Sequence, residues 1–520
     1  MMNLGRLTTL TILLAALSGV ASAQTTDPVG FRRTKDSFPE HARGTRVAIG
    51  DVDGDGDPDV LISGRLLLNS DGKGTFRYVP KAGLNRFCRA AILLDYDRDG
   101  DLDVFTSGPD RMMRNDTKQG VVRFTDVSAA VGISDDGLPG EGLGAGDLNG
   151  DGYPDIYVAN YELGGLARGT ADKLYLSNGR GGYYLDSQVA SRLCGRGVNM
   201  GDFDQDGDLD VFVSNYRLQG NLLYVNQLDQ SRGYSLRAEE RGISGGAAHT
   251  IGSVWGDLDG DGDIDMIMGN FSHRGGPYGI QPMVMVCLQS AGRFSSRWAR
   301  DYGITWREPH SNPTLFDMDD DGDLDLYLTT TYGQSADVYR NRLVEDGALR
   351  FRNATTRVRG ATYDAWGCGT LDVDNDGDQD LIVAVGGGRP PVLLRNERAQ
   401  RMPKRQSVRL RLRGTTSDRW GAGATAILSG GGARRTVRQL NLGHGTSSQS
   451  EPILHFGVGK AQGPFQVEVR WPSGKISKLK IKSGGLYQVT EPKGPVVRPA
   501  PWASGSTSPT VPGWPTYPGR

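Results

Sequence analysis

The sequence predicts an all-β chain: a seven-bladed β-propeller whose N-terminal strand closes the last blade, followed by a small β-rich domain. Three observations carry that prediction. The nine-residue acidic signature D-x-[DN]-x-D-G-x-x-D begins at Asp51, Asp95, Asp147, Asp202, Asp257, Asp317 and Asp372, with starts 44, 52, 55, 55, 60 and 55 residues apart. A pattern of four short strands surrounds each copy, and an aromatic closing strand precedes every loop, the first included. A unit of that length cannot bury its apolar face alone, so the copies must stack. The 75 glycines, 25 prolines and 37% hydrophobic content suit short strands and turns rather than long helices.

Taken in order, residues 1–23 read as a signal peptide for export. Arg6 lies in a short polar start, an apolar run extends from Leu7 to Leu17, and Ala21-Ser22-Ala23 offers a small-residue cleavage site near Ala23. That run is shorter than the about 20 apolar residues a spanning helix needs, so no transmembrane segment is expected. No later segment could span either. The processed chain is expected to be secreted, either periplasmic or extracellular.

Residues 27–398 carry the repeats. In the first copy, Arg46-Val47-Ala48-Ile49-Gly50 leads into the acidic loop and Asp59-Val60-Leu61-Ile62 leaves it. Leu66-Leu67-Leu68-Asn69 follows, and Phe76-Arg77-Tyr78-Val79 closes the unit. Four such strands make one propeller blade. Phe31, Phe76, Phe124, Tyr183, Tyr234, Phe294 and Phe351 stand 19 to 23 residues before the next loop. The seventh repeat has no such strand after Asn396, so the strand at Phe31 is expected to complete it. Closing the ring removes the exposed edges of an open stack.

Asp at loop positions 1, 3 and 5, Gly at 6 and Asp at 9 make an oxygen donor set bent round a sharp turn, which suits a hard cation. Calcium is the expected ion. Magnesium demands a tighter octahedron and keeps more water, and transition metals prefer the His and Cys that the loops lack. The expected ligands are Asp51, Asp53, Asp55 and Asp59 in the first loop and Asp95, Asp97, Asp99 and Asp103 in the second. The third offers Asp147, Asn149, Asp151 and Asp155, the fourth Asp202, Asp204, Asp206 and Asp210, and the fifth Asp257, Asp259, Asp261 and Asp265. Asp317, Asp319, Asp321 and Asp325, then Asp372, Asp374, Asp376 and Asp380, bring the expectation to as many as seven Ca2+ sites. A polar turn explains one such loop but not Asp at position 9 in all seven. Most loops crowd five carboxylates into nine residues, so metal binding is expected to be coupled to folding. The third loop has three carboxylates and is expected to bind most weakly.

Past Asn396 the acidic loops stop and the charge reverses, with sixteen Lys and Arg against four Asp and Glu from Lys404 to Lys493. Runs such as Val408-Arg409-Leu410-Arg411-Leu412 and Val467-Glu468-Val469-Arg470-Trp471 alternate as strands with one buried face do, so residues 404–493 read as a second β domain. Its positive charge reads as a solvated sheet face. Residues 494–520 are rich in Pro, Gly, Ser and Thr and read as a disordered tail. Cys88, Cys194, Cys287 and Cys368 lie far apart and read as buried thiols, without zinc or redox spacing.

The loops and strands together resemble the FG-GAP, or VCBS, repeats of integrin α-subunit propellers and of many secreted bacterial proteins, from Phe31 to Arg395. The resemblance implies structural calcium in hairpin loops on one face of the ring and ligand recognition on the other. Arg419-Trp420-Gly421-Ala422-Gly423-Ala424, Ser447-Ser448-Gln449-Ser450, His455-Phe456-Gly457-Val458-Gly459 and Trp471-Pro472-Ser473-Gly474 are similar to the ASPIC/UnbV domain, which typically follows such repeats. Trp420 stands where that family commonly has a smaller residue.

Of the 61 acidic residues, 34 lie in the seven loops, leaving 27 against 59 basic ones. With calcium masking the loops the protein is net basic. The expected function is a secreted calcium-binding module for adhesion or ligand binding, directed at an anionic polysaccharide, or glycan, or at an envelope protein. No nucleic acid partner is expected, since no recognisable binding module is present and the chain is exported. The loops entering each first strand face the central opening away from calcium. There His41, Arg86, His249, Trp306 and His310 are candidate ligand-binding residues, beside Arg43, Arg89, Glu141, Arg196, Glu308 and Asp364. The alternative is a carbohydrate-active enzyme of lyase or dehydratase type on that face, for which His249 and His310 of adjacent blades are the main reason. No nucleophile motif, phosphate loop or His-rich metal cluster accompanies them, so no catalytic residue is assigned.

Overall fold

A computed structural model describes residues 29–494 except 35, 85–86, 166, 190, 229–232, 247 and 273–282. The expected signal peptide and residues 495–520 of the expected tail lie outside the described residues.

Seven four-stranded antiparallel sheets follow one another along the repeats. The first joins Val47–Gly50, Asp59–Ile62, Arg65–Asn69 and Phe76–Tyr78 as a meander. Five more repeat that order over 90–126, 140–186, 195–238, 250–298 and 310–353. The seventh takes Ala365–Leu371, Asp380–Val385 and Val392–Asn396 and receives Phe31–Arg33 as its outer strand, with Phe31 opposite Asn396 and Arg33 opposite Leu394. The first strand of the chain thus completes the last sheet. First strands of successive sheets pack side by side, and Val47–Gly50 touches both Ala90–Leu94 and Ala365–Leu371. The sheets therefore run round a central axis, the arrangement of a β-propeller.

Second strands such as Asp155–Asn160 and Asp265–Asn270 are buried along their whole length, because neighbouring blades cover both faces. Outer strands bury one end only: Phe351–Asn353 buries Phe351 and exposes Arg352 and Asn353. The closing aromatics Phe31, Phe76, Phe124, Phe294 and Phe351 are all buried in the clefts between blades, each contributing about 1.5–3 kcal/mol. Blade 4 departs from this pattern. Its outer strand is only Arg237–Ala238, and Tyr234 precedes it, half-buried against the core shared by blades 3 and 4. Gly233 at φ +78° turns the chain just before, so the ladder starts from Gln227 N donating to Ser235 O at 3.0 Å.

The C-terminal module is two sheets packed face to face. One joins Ile453–Gly459, Gln406–Arg413 and Gly485–Thr490, the last pairing in parallel. The other joins Ala433–Gln439, Thr425–Gly430, Phe465–Arg470 and Ile476–Ile481. Val408, Leu410 and Leu412 alternate inward to meet Phe456, Phe465, Val467 and Trp471. The four cysteines are buried free thiols, and burial pushes Cys88, Cys287 and Cys368 up to about 12.

Candidate functional site

Each acidic loop folds on its own carboxylates. Asp51 accepts Gly54 N at 2.9 Å and Gly56 N at 3.0 Å, and Asp317 accepts Asp321 N at 3.1 Å and Gly322 N at 2.9 Å. The sixth residue has φ between +87° and +104° in all seven loops, the left-handed region that favours glycine. The ninth residue is a brace. Asp59 accepts Val52 N at 3.0 Å through one oxygen and Asn69 N at 2.9 Å through the other, tying the loop to the end of the third strand. Asp103, Asp155, Asp210, Asp265, Asp325 and Asp380 repeat both bonds. Asp at position 9, read from the sequence as a metal signature, therefore has a backbone cause of its own.

The donor set also fits a hard cation. Carboxylate oxygens of Asp51, Asp53 and Asp59 lie within 4.8 Å of one another, and so do those of Asp95, Asp97 and Asp99. The same holds for the clusters headed by Asp202, Asp257 and Asp317. Buried oxygens of Asp53, Asp95, Asp204 and Asp319 have no hydrogen-bond partner. Burial, with carboxylates alongside, pushes Asp59 up to about 8 and Asp103 up to about 9. In the third loop an amide replaces one carboxylate: Asn149 Nδ2 donates to Asp151 at 3.2 Å.

The C-terminal module lies on these loops, which corrects the expectation of a solvated basic face. Arg438 donates to Gly322 O and Arg434 to Asp259 O, both at 3.2 Å, while Arg409 pairs with Asp372. His455 meets Asp320 at 2.7 Å, and Arg405 meets Asp319 at 3.1 Å. From the ring side, Arg98 donates to Thr415 O at 3.0 Å. The alternation Val408-Arg409-Leu410 thus puts its apolar side into the module core and its arginine against a ring carboxylate. Trp420, the departure noted in the sequence, packs against the core shared by blades 1 and 2.

One segment of the module, residues 441–451, runs down the axis of the ring. The first strands face that axis with a free edge whose N–H and C=O groups need partners. Gln449 N donates to Val47 O at 2.9 Å, and the Gln449 side chain bonds both backbone groups of Leu93 at 2.8 Å. Ser447 Oγ accepts Leu143 N at 2.9 Å and donates to Glu141 O at 2.8 Å. Gly445 N donates to Ser253 O at 2.7 Å, Thr446 Oγ1 donates to Asn312 Oδ1 at 2.7 Å, and Ser450 Oγ accepts Thr370 N at 3.1 Å. Blade 4 touches the segment through glycine: a Cβ on Gly197 would stand 2.3 Å from Gly445 O. The Ser447–Ser450 motif is therefore the plug of the channel.

At the other end of the axis, where the first strands begin, one carboxylate serves three arginines. Glu141 of blade 3 lies 2.9 Å from Arg46 of blade 1, 2.7 Å from Arg89 of blade 2 and 3.8 Å from Arg196 of blade 4. Burial alone would raise the Glu141 carboxyl, but Arg46, Arg196 and Arg89 together hold it below the usual range. Arg196 stacks over Tyr161 at 4.6 Å and Tyr216 at 5.6 Å.

The five candidate ligand residues have different fates. His41 sits edge-on to Tyr78 at 4.8 Å, and Arg86 lies outside the described residues. Trp306 is 37% exposed and donates to Ser272 Oγ at 2.7 Å. His249 and His310 turn to different partners: His249 packs on Tyr216 of the preceding blade at 4.3 Å, while His310 is buried and bonds Asp337 of its own blade at 3.1 Å. Arg89, Glu141 and Arg196, noted beside the candidates, are the ones brought together. Arg46 was missed, although a signal existed: it precedes its acidic loop by five residues where Arg89, Glu141 and Arg196 precede theirs by six.

An FG-GAP-like repeat model matches residues 95–158, 147–213, 202–268 and 317–383, and an ASPIC and UnbV model matches residues 414–496. Cartilage acidic protein 1 of Homo sapiens is 25% identical over 497 residues, covering 86% of this chain and 71% of that protein. The Xenopus tropicalis protein of that name is 25% identical over 493 residues, covering 86% and 73%. Among solved structures, an Agrocybe aegerita lectin specific for non-reducing terminal N-acetylglucosamine has a TM-score of 0.40 at 15% identity, covering 70% of this chain and 93% of that one.

Proposed function

We propose that this chain, a protein of FG-GAP-like repeats carrying an ASPIC and UnbV module, is a secreted, calcium-loaded binding module whose ligand is an anionic polysaccharide held on the ring face away from the acidic loops. The observation that carries this reading is the division of the two faces. The module covers loops on the acidic face and its plug fills the axis, while the other face presents Arg46, Arg89 and Arg196 against one carboxylate.

Calcium is supported by the oxygen clusters and by the unpartnered buried carboxylate oxygens, and export by the N-terminal apolar run with its small-residue cleavage site. Arg409, Arg434 and Arg438 of the module are engaged with the ring, while Lys478, Lys480 and Lys482 stay exposed on the module and Arg89 opens the opposite mouth to solvent. The lyase or dehydratase reading drew on His249 and His310 sharing a site; their contacts lead elsewhere, and no other observation favours it.

The test is a glycan array probed with calcium-loaded protein at low and high salt. Acidic saccharides that bind at low salt and weaken at high salt are the expected hits. Binding confined to neutral saccharides, or no salt-sensitive hit, would overturn the reading.

A further inference from the structure

The plug changes what the cationic mouth can accept. Ser447 Oγ bonds the carbonyl of Glu141, the residue whose carboxylate centres the arginine cluster. A Cβ on Gly367 would stand 3.1 Å from Ser448 Oγ and 3.4 Å from Arg46 Cα, so the Gly367 backbone is packed close to both plug and mouth. The mouth is a blind end. A polymer cannot thread the ring there, so a chain reaches the arginines from one side alone.

Charge and donors say what such a chain carries. Three guanidinium groups face a single carboxylate, and the Nε atoms of Arg46 and Arg196 are buried without a hydrogen-bond partner. Arg46 and Arg196 side chains are 5% and 15% exposed, so water screens their positive charge poorly, while Arg89 is 45% exposed and opens the cluster to solvent. A guanidinium has five N–H donors in a planar fork that matches a carboxylate. Glu141 bridges Arg46 and Arg89 with one oxygen to each, so neither fork is filled by it. On blades 5 and 6, Tyr332 is 73% exposed and edge-on to Phe271, and Trp306 bonds the adjacent Ser272, offering ring surfaces to the C–H faces of a sugar.

We infer that Arg46, Arg89 and Arg196 bind the carboxylate of a terminal uronic acid residue, so that the protein recognises the ends of acidic polysaccharide chains. The inference rests on the anionic-glycan reading above and adds the site and the mode. Glu141 positions the arginines, and the plug sets the depth of the site.

The test uses full-length calcium-loaded protein at low salt in calorimetric titrations with a uronate oligosaccharide, a sulfated oligosaccharide of equal length, a neutral one and poly-glutamate. The uronate is expected to bind tightest, and R89A and R196K each to weaken it about tenfold or more, the value of a hydrogen bond to a charged group. Retained melting temperature in R89A, the exposed member, separates site loss from misfolding. Partial depolymerisation of a polyuronate at constant mass is expected to raise binding capacity in proportion to the number of ends. Absence of any acidic-saccharide binding would sink both the function and the inference. Uronate binding unchanged in both variants sinks the site alone, and capacity that follows mass sinks chain-end recognition. Tighter binding of the sulfated sugar overturns the carboxylate, and binding of poly-glutamate alone overturns the saccharide.

Discussion

Gln449 pairs with Leu93 as a strand would: its side-chain amide donates to Leu93 O and accepts from Leu93 N, each at 2.8 Å. The two residues are 356 positions apart, and the bond joins the C-terminal module to the inner edge of blade 2. Removing the amide leaves a buried N–H and C=O of Leu93 unpaired at once. Q449A is expected to destabilise the folded chain by about 2–4 kcal/mol, because each orphaned backbone group costs about 1–3 kcal/mol. Chemical denaturation followed by tryptophan fluorescence measures it, and a loss below about 1 kcal/mol would show that the plug contributes little beyond contact.

The inner-strand glycines face the same segment. A Cβ on Gly197 would come 2.3 Å from Gly445 O and one on Gly252 2.5 Å from Gly445 Cα, whereas a Cβ on Gly220 meets nothing within 4 Å. G197A is expected to cost about 2–4 kcal/mol through displacement of the plug backbone, and G220A to stay within about 0.5 kcal/mol. Thermal melts of the three proteins, paired with limited proteolysis across 440–452, check both the cost and its location. Equal melting temperatures for G197A and the parent would mean that the plug moves aside freely.

What could be read without coordinates was whatever the chain writes locally. The acidic loops are contiguous, so their donor set was legible, and the missing closing strand after Asn396 pointed to Phe31 because every other blade supplied one. The plug was illegible for the opposite reason. Ser447, Gln449 and Ser450 form a polar run that reads as a turn, and their partners Glu141, Leu93 and Thr370 lie 80 to 356 positions away. The basic strand at Arg409 misled because alternation reveals which side is apolar but not what meets the polar side, here Asp372. His310 was overvalued for its chemistry alone, its partner Asp337 being 27 residues on in a different strand.

Calcium removal should act on the ring and the module together, since the module is docked on the loops. A site that binds only the folded chain adds about 2.7 kcal/mol at a hundred times its dissociation constant. Chelation is therefore expected to lower the melting temperature markedly and to expose the 404–493 module to protease. The third loop, with Asn149 bonded to Asp151, is expected to release its ion first, and N149D to delay that release. Calorimetric calcium titration of the parent and N149D decides this. An unchanged melt after chelation would remove calcium from the account of stability.

Glu141 sets the acid limit of the mouth. Its carboxyl is held below its ordinary value by Arg46, Arg196 and Arg89 acting against the opposing effect of burial. A carboxyl whose folded value is depressed contributes stability that is fully present above its unfolded value, about 4.5, and is lost as pH falls through the folded value. The parent should therefore begin to lose the Glu141 contribution as pH falls below about 4.5, while E141Q, uncharged throughout, lacks it at every pH. Because Arg46 is 5% exposed and Glu141 is 11% exposed, breaking the pair is expected to cost about 3–5 kcal/mol at neutral pH. That difference should shrink as the parent protonates in acid. Stability measured by denaturant titration between pH 7 and pH 3 for both proteins decides the matter. A gap between them that stays constant across that range would show that the arginines are held by packing and not by the carboxylate.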